Sequence, residues 1–203
     1  MARSGLNQLR SFRNFFSGLF YFFRAWVRNP REIGAIAPSS PMLSQVMATQ
    51  INFAQPGYVI ELGGGTGSLT EALLKTGLDP KRLIVIEQNP QFVSLLRKKF
   101  PQLRILEADA QKLKLVLEQA DIQEINAIIS GIPLRSLPKK ILIKIIRQSL
   151  ELLPAHCAFI QFTYGAKSPI PEKLVNPQQF DIKISERIWL NLPPARVWTY
   201  RKK

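Results

Sequence analysis

A glycine-rich turn stands between an apolar run and a predicted helix in the stretch VIELGGGTGSLTEALL, residues 59–74. The apolar run is typical of a buried strand, and Ser68 followed by Glu71 has the spacing of a capping box at a helix start. Glycines in such a turn let the backbone bend sharply and let a ligand approach closely, while the helix start offers free N–H groups. The pattern predicts a nucleotide-type cofactor site. Its candidate residues in this stretch are Glu61, Gly63, Gly65 and Gly67.

A second apolar run, residues 83–86, ends in the acidic Glu87. In nucleotide-binding folds an acidic residue at the end of the next strand accepts hydrogen bonds from the ribose hydroxyls. We therefore predict that Glu87, with its neighbour Gln88, holds a ribose. A simpler interpretation, in which the glycines only form tight turns, remains open on this evidence.

The spacing of the glycines discriminates between cofactors. A dinucleotide fingerprint has glycines at its first, third and sixth positions, but counting from Gly63 the fifth position is Gly67 and the sixth is Ser68. This Gly-x-Gly-x-Gly pattern, with Glu61 before it, resembles motif I of class I methyltransferases, which use S-adenosylmethionine.

Two further segments extend the resemblance to methyltransferases. The stretch LEADAQ, residues 106–111, corresponds to the segment that contacts the adenine of the cofactor, and IISGIPL, residues 128–134, follows a fourth strand-like run. The resemblance implies that Asp109 and the adjacent Ala110 lie at the adenine.

Four longer stretches are together similar to the bacterial phospholipid N-methyltransferase family, a relative of the ribosomal RNA adenine dimethylases. They are RNPREIGAIAPSSPMLSQVMA (28–48), SGIPLRSLP (130–138), FTYGAKSPI (162–170) and LNLPPARVW (190–198). The resemblance implies transfer of methyl groups from S-adenosylmethionine to the amine of phosphatidylethanolamine, up to three times, giving phosphatidylcholine. It also implies that Ser39 and Ser40 close over the methionine end of the cofactor, although Ser40 before Pro41 equally predicts a helix cap.

The segment after the fourth strand is the candidate acceptor site, because open α/β sheets bind ligands beyond the carboxyl ends of their strands. Backbone carbonyls of Ser130, Gly131 and Ile132 are expected to accept hydrogen bonds from the amine. In the adenine dimethylases the corresponding motif is Asn-Leu/Ile-Pro-Tyr/Phe, whereas this chain has Gly131 and Leu134 at the amide and ring positions. The departure disfavours a planar base as substrate, although Leu134 is also compatible with simple packing.

An ammonium headgroup that gains methyl groups loses N–H donors and increasingly favours aromatic faces. Tyr164, after the fifth strand, and Tyr21, on the polar side of the N-terminal helix, are candidates to contact it; packing for Tyr164 and simple exposure for Tyr21 are the alternatives. The basic residues Arg135, Lys139 and Lys140 are candidates for the lipid phosphate or, equally, for a solvated helix start.

Composition sets the broad class. The chain has 203 residues, enough for one domain with a full core, and a single cysteine, Cys157, which excludes an internal disulfide framework and fits a reducing compartment. We predict that His156 and Cys157 belong to the core. A formal net charge of +14 indicates an anionic partner, either nucleic acid or an acidic membrane surface.

The N-terminal segment favours the membrane. Residues 1–31 contain six arginines and no acidic residue, and at 100° per residue an aromatic face lies opposite an arginine face. This is the composition of a helix in a membrane interface, predicted here over residues 1–28. A packed core helix and a secretory signal are the alternatives, while the longest apolar run, residues 19–23, is too short to span a bilayer.

Residues 29–203 are predicted to form one methyltransferase domain. Strand-like and helix-like runs alternate, which predicts an α/β fold with a mostly parallel Rossmann-like sheet, ending in an antiparallel hairpin whose arms are residues 180–190 and 195–201. Strands are predicted near 58–62, 82–87, 103–107, 125–130 and 157–163, and helices near 40–51, 68–76, 90–99, 110–119 and 138–152.

The sequence thus predicts an S-adenosylmethionine-dependent phospholipid N-methyltransferase on the cytoplasmic face of a membrane. Neither a metal site, a nucleic-acid partner nor an obligate protein partner is expected. Positioning should supply most of the acceleration, because the sulfonium leaving group is already activated. An RNA adenine N6-methyltransferase and an inactive cofactor-binding membrane protein are the alternative functions.

Overall fold

The computed structural model describes residues 40–191 and 193–203. The predicted amphipathic helix over residues 1–28, together with Tyr21 and Ser39, lies outside the described residues.

Seven strands form one sheet in the order β3-β2-β1-β4-β5-β7-β6. Neighbouring strands are parallel from β3 to β5, while β7 runs antiparallel to both β5 and β6. The predicted fold, a mostly parallel sheet with a final antiparallel strand, is confirmed. The strands are β1 (Tyr58–Leu62), β2 (Leu83–Glu87), β3 (Arg104–Glu107), β4 (Ile125–Ser130), β5 (Ala158–Thr163), β6 (Phe180–Ile184) and β7 (Arg196–Lys202).

Helices cover both faces of the sheet because the central strands are apolar on both sides: β2, β4 and β5 are buried along their whole length. Helices α1, α2 and α3 contribute to the core on one face, and α4 and α5 to the core on the other. The helices are α1 (Pro41–Ala48), α2 (Ser68–Lys75), α3 (Pro90–Lys99), α4 (Leu113–Gln119) and α5 (Lys139–Leu152).

Helix starts follow the predicted signals in two cases and depart from them in one. The side chains of Ser40 and Asn89 cap α1 and α3, each followed by proline. The capping box at Ser68 is wrong: α2 begins at Ser68, but its N-cap is Gly67 in the left-handed region, without a side-chain cap. Glu71 instead pairs with Lys75 and Lys99.

The remaining differences are local. The predicted helix over 110–119 is a 3₁₀ turn, Ala110–Lys112, followed by α4, and the first hairpin arm is shorter than predicted because β6 ends at Ile184. Cys157 is buried as predicted, and its thiol donates to the main-chain oxygen of Ile125, 3.2 Å away. The core position predicted for His156 is wrong: this residue is exposed in the turn before β5, with a φ of +65°. Within the part of the chain that the structure describes, no helix is both long enough and apolar enough to cross a bilayer.

Parallel pairing brings the carboxyl ends of five strands to one edge of the sheet. We call this the carboxyl edge. The last residues of these strands are Leu62, Glu87, Glu107, Ser130 and Thr163.

Candidate active site

The glycine turn joins β1 to α2 at the carboxyl edge. Gly63, Gly65 and Gly67 have φ values of +76°, +52° and +84°, a left-handed conformation that side chains other than glycine's rarely adopt. The Gly65 N–H donates to Oε2 of Glu87 with 2.9 Å between nitrogen and oxygen. This hydrogen bond holds the glycine turn against the end of β2.

Glu87 is buried at the end of β2. Its second carboxylate oxygen, Oε1, accepts from the Asn89 N–H at 2.8 Å. Each carboxylate oxygen offers two lone pairs, so both oxygens can still accept from a further donor. The chemistry matches the predicted ribose acceptor.

Glu61 lies inside β1 with no solvent exposure. Its Oε2 accepts from the Thr70 hydroxyl at 2.8 Å, whereas its Oε1 has no hydrogen-bond partner. Burial, aided by the nearby charge of Glu87, raises the pKa of Glu61 to about 8, although the Thr70 bond opposes the shift. A buried carboxylate oxygen without a partner matches a ligand that brings a positive charge or a donor.

Packing also requires glycine in this turn, because side chains there would collide with neighbouring elements. A Cβ at Gly63 would lie 2.7 Å from the Ile132 side chain, and one at Gly67 would lie 2.6 Å from the Phe100 ring. Gly64, which the sequence analysis passed over, has the least room: its Cβ would lie 2.4 Å from Val85. The run of three glycines was the signal for this constraint.

The other predicted cofactor residues lie along the same edge. Asp109 follows β3, and both of its carboxylate oxygens accept from Gln111, one from the backbone N–H and one from the side-chain amide. Ala110 is buried in the 3₁₀ turn that Asp109 caps, and Gln88 is exposed beside Glu87. Ser40 caps α1, accepting from Leu43 N–H at 3.2 Å.

Residues 130–133, which we call the acceptor loop after its predicted role, begin at the last residue of β4. The prediction of a free carbonyl at Ile132 is wrong, because that oxygen accepts from Gln161 Nε2 at 2.9 Å and from Leu134 N–H at 2.8 Å. Ser130 is buried, and its hydroxyl accepts from Ile132 N–H at 3.3 Å. A Cβ at Gly131 would lie 2.8 Å from the Gly63 oxygen, so the acceptor loop and the glycine turn are in direct contact.

Sequence reasoning missed Gln161, a buried polar residue that binds the acceptor loop. It lies in β5 beside Ser130 in register and is fully buried. Its amide nitrogen holds the Ile132 carbonyl and its Oε1 has no partner. A glutamine inside an otherwise apolar strand was the available signal, since buried polar groups normally have a specific partner.

Tyr164 follows β5, half-buried, with its ring edge-on to Phe162 at 5.3 Å between centroids. Burial raises the pKa of its hydroxyl, and a hydrogen bond with Asn191 opposes that shift. The ring packs against the core on the α1–α3 face, so the packing alternative is present in the structure.

A groove of about 980 Å³ is lined by Arg135, two residues after the end of the acceptor loop, and by residues from the β5–β6 connection and from β7. Most of its lining residues are apolar, Trp198 among them, while Arg135, Lys139 and Lys167 contribute three cations and Glu172 one carboxylate. Arg135 also donates to the Lys167 carbonyl at 3.4 Å and lines a small cavity next to Tyr164. Of the three basic residues predicted as candidates for the lipid phosphate, Arg135 and Lys139 line the groove and Lys140 does not.

The glycine turn is hydrogen-bonded to an acidic strand end, and the acceptor loop packs against the turn on the same edge. Class I methyltransferases have this arrangement. The fold and the site place the protein in this class, and its cofactor is S-adenosylmethionine. When bound, this cofactor supplies a methyl group already activated by a sulfonium.

Comparison with known proteins narrows the class to a family. The model of the ribosomal RNA adenine dimethylase family matches residues 39–166. An ornithine lipid N-methyltransferase from Singulisphaera acidiphila is 31% identical over 147 residues, covering 71% of this chain and 77% of that protein. The chain belongs to the ribosomal RNA adenine dimethylase family.

A probable ribosomal RNA small subunit methyltransferase A from Methanococcoides burtonii is 32% identical over 107 residues, which is 51% of this chain but 35% of that protein. The match to this relative therefore spans about a third of its length.

Solved structures confirm the fold. A 1,6-didemethyltoxoflavin-N1-methyltransferase from Burkholderia thailandensis, determined with S-adenosylhomocysteine, has a TM-score of 0.61 at 16% identity and covers 94% of this chain and 90% of that one. TrmN from Thermus thermophilus also has a TM-score of 0.61, at 18% identity, covering 83% of this chain and 50% of that one.

Proposed function

We propose that this protein transfers methyl groups from S-adenosylmethionine to the amine of phosphatidylethanolamine and of its mono- and dimethyl forms, at the cytoplasmic face of a membrane. The observation that carries the proposal is the contact between Gly131 and the Gly63 oxygen. The asparagine of the adenine dimethylase motif would need a Cβ within 2.8 Å of that oxygen, so the base-gripping amide cannot be placed without moving the cofactor turn.

The cofactor roles follow from the carboxylates of the edge. Glu87 would accept from the ribose hydroxyls while it continues to hold the Gly65 and Asn89 N–H groups. Glu61, ionised, would give its unpartnered oxygen to the ammonium of the methionine part. Asp109 would contact the adenine, and Ser39 with Ser40 would lie at the methionine end.

The acceptor amine must be unprotonated and aligned with the bond from sulfur to the methyl group. With the Ile132 carbonyl occupied, the carbonyls of Ser130 and Gly131 are the candidates to accept its N–H groups. Gln161 would fix their geometry through Ile132. Tyr164 would face the headgroup once methylation has removed its donors, a contact worth about 0.5–2 kcal/mol.

The groove supports an amphipathic acceptor. The largely apolar lining of the groove suits a lipid chain, and the guanidinium of Arg135 suits a lipid anion close to the amine. The net charge of +14 and the predicted N-terminal helix favour an anionic bilayer as the place of the reaction. Deleting residues 1–28 should then release the protein from anionic vesicles.

Two other acceptors have support. The similarity to an ornithine lipid N-methyltransferase favours a second lipid amine, which the same loop and groove could position. The family model and the net positive charge favour an adenine in RNA.

One assay separates the three acceptors. Purified protein with labelled S-adenosylmethionine is given phosphatidylethanolamine vesicles, ornithine lipid vesicles and ribosomal RNA in parallel. We expect label in phosphatidylethanolamine and none in RNA. If only ornithine lipid is labelled, that lipid is the acceptor in place of phosphatidylethanolamine. If only RNA is labelled, the proposal is overturned.

The role of Tyr164 has a matched pair of variants. Tyr164→Ala should slow the later methylations most, whereas Tyr164→Phe keeps the ring, loses only the hydroxyl, and should retain most of the rate. Equal product ratios from both variants would remove the ring from the headgroup site.

A further inference from the structure

The loop between β6 and β7 exposes two large apolar side chains side by side. Trp189 is 70% exposed and Leu190 is 78% exposed, more than any other large apolar residue among those the structure describes. Contiguous exposed apolar side chains of this size mark contact sites.

This loop is held in place at the carboxyl edge. The Asn191 side chain, itself buried, accepts from Ser40 N–H at 2.9 Å and donates to the Pro193 carbonyl at 2.7 Å. Asn191 also lies close enough to Tyr164 to oppose the rise in the pKa of its hydroxyl, and Ile188 pairs with Ala195 across the loop. The exposed pair therefore projects from a hydrogen-bonded base at the carboxyl edge, where β7 begins beside the end of β5.

The surroundings indicate what covers the pair. Met42, two residues after Ser40, adds a third exposed apolar side chain at 44%. The Arg187 guanidinium lies 5.1 Å from the centre of the Trp189 ring, with Glu186 as the neighbouring acid. A tryptophan with an arginine on its face is a combination suited to the polar–apolar boundary of a bilayer.

We propose that Trp189, Leu190 and Met42 form a membrane-docking patch that enters the interfacial layer of a bilayer and turns the acceptor loop towards it. The proposal rests on the proposed lipid acceptor, which has to be reached from the bilayer. A second argument is position along the chain: the described fold begins at Ser40, one hydrogen bond from Asn191, and the segment predicted as a membrane helix, residues 1–28, precedes it in sequence.

The test uses the full chain and vesicles of phosphatidylethanolamine with phosphatidylglycerol. The double variant W189S/L190S should bind the vesicles at least tenfold more weakly than the unmodified protein in a flotation assay. Its control, L95S/L115S, removes two apolar side chains that are 42% and 49% exposed on α3 and α4, and should bind normally.

A second readout follows the ring itself. Brominated lipids should quench the tryptophan fluorescence of the unmodified protein, and W189F, which keeps an aromatic ring, should lose the share of that quenching that Trp189 contributes, while any quenching of Trp26 in the predicted membrane helix stays the same in both proteins. Because the chain has three tryptophans, the difference between the two proteins is the quantity of interest.

Failure of the patch is distinguishable from failure of the proposed function. W189S/L190S should keep its affinity for S-adenosylmethionine and its rate on a short-chain phosphatidylethanolamine below its micelle concentration, while losing its rate on vesicles. Unchanged vesicle binding and quenching would overturn the patch even if lipid is methylated. A dimer of the unmodified protein that W189S/L190S abolishes, with vesicle binding unaffected, would make the patch a subunit interface and also overturn it.

Discussion

The two halves of the carboxyl edge are built differently. In the cofactor half, β1 to β3, the turn, its helix and the acidic strand end lie within a short stretch of sequence, and Gly65 reaches Glu87 across 22 positions. In the acceptor half, β4 to β7, the loop is held by Gln161 from another strand, and Ser40 meets Asn191 across 151 positions. The cofactor half is a local motif, whereas the acceptor half exists only in the assembled fold.

The largest effect should follow from Gly65→Val. A β-branched side chain at φ +52° is strained and would occupy the space through which the cofactor approaches, so S-adenosylmethionine binding should be abolished in calorimetry. Gly77→Val is the control, since Gly77 also has positive φ, +92°, but lies after α2 with open space around its Cβ position. If both variants lose stability but both bind the cofactor, the turn serves the fold alone.

Glu87→Ala should weaken cofactor binding at least tenfold while the fold survives. Hydrogen bonds to a charged group are worth about 1.5–3 kcal/mol, and the variant also releases the Gly65 N–H. Glu107→Ala removes the exposed carboxylate paired with Glu87 in the sheet register and should leave the affinity unchanged. If calorimetry gives Glu87→Ala and the unmodified protein the same affinity for S-adenosylmethionine, Glu87 does not hold the ribose.

Glu61 should make stability and cofactor binding respond oppositely to pH. Between its ordinary pKa of 4.5 and about 8 the native chain keeps a proton that the unfolded chain has lost, so the free energy of unfolding should fall as pH rises. The slope is at most about 1.4 kcal/mol per pH unit. Cofactor affinity should rise over the same range, by at most about tenfold per unit, because the ionised form would meet the ammonium.

Chemical denaturation and calorimetry at pH 5 to 8 measure both slopes. Glu61→Gln, which cannot ionise, should flatten them. A wild-type protein whose stability does not change over this range would contradict the assigned protonation.

The smallest effect should come from Gln161→Leu. Losing the bond to the Ile132 carbonyl costs about 1 kcal/mol, a factor of about five, and we expect it in the KM for the lipid acceptor and not in cofactor affinity. Gln148→Leu removes a comparable bond to the Gln111 carbonyl on the α5 side and should change stability only. A cofactor affinity that falls with Gln161→Leu would show that the two halves act as one unit.

The fold and the glycine turn were predictable because each depends on residues that are close together in sequence. The strands are apolar runs, Asn89-Pro90 and Ser40-Pro41 start their helices, and the order of elements fixes a parallel sheet, so the fold and the glycine turn could be predicted from sequence. The predicted capping box at Ser68 was wrong for two reasons. Gly67, in the left-handed conformation, is the N-cap, and the Glu71 carboxylate forms ion pairs with Lys75 and with Lys99 on α3.

The sequence by itself determined the class of enzyme, because a cofactor that binds a helix start and a strand end needs only neighbouring residues. Tertiary structure alone decided that the Ile132 carbonyl is already occupied, since the bond from Gln161 to Ile132 depends on the pairing of β4 with β5. It also decided that residue 131 has to be glycine, because the space for its side chain is taken by the Gly63 oxygen on a different strand connection. Packing between segments distant in sequence carries no local signal, and it is this packing that shapes the acceptor site.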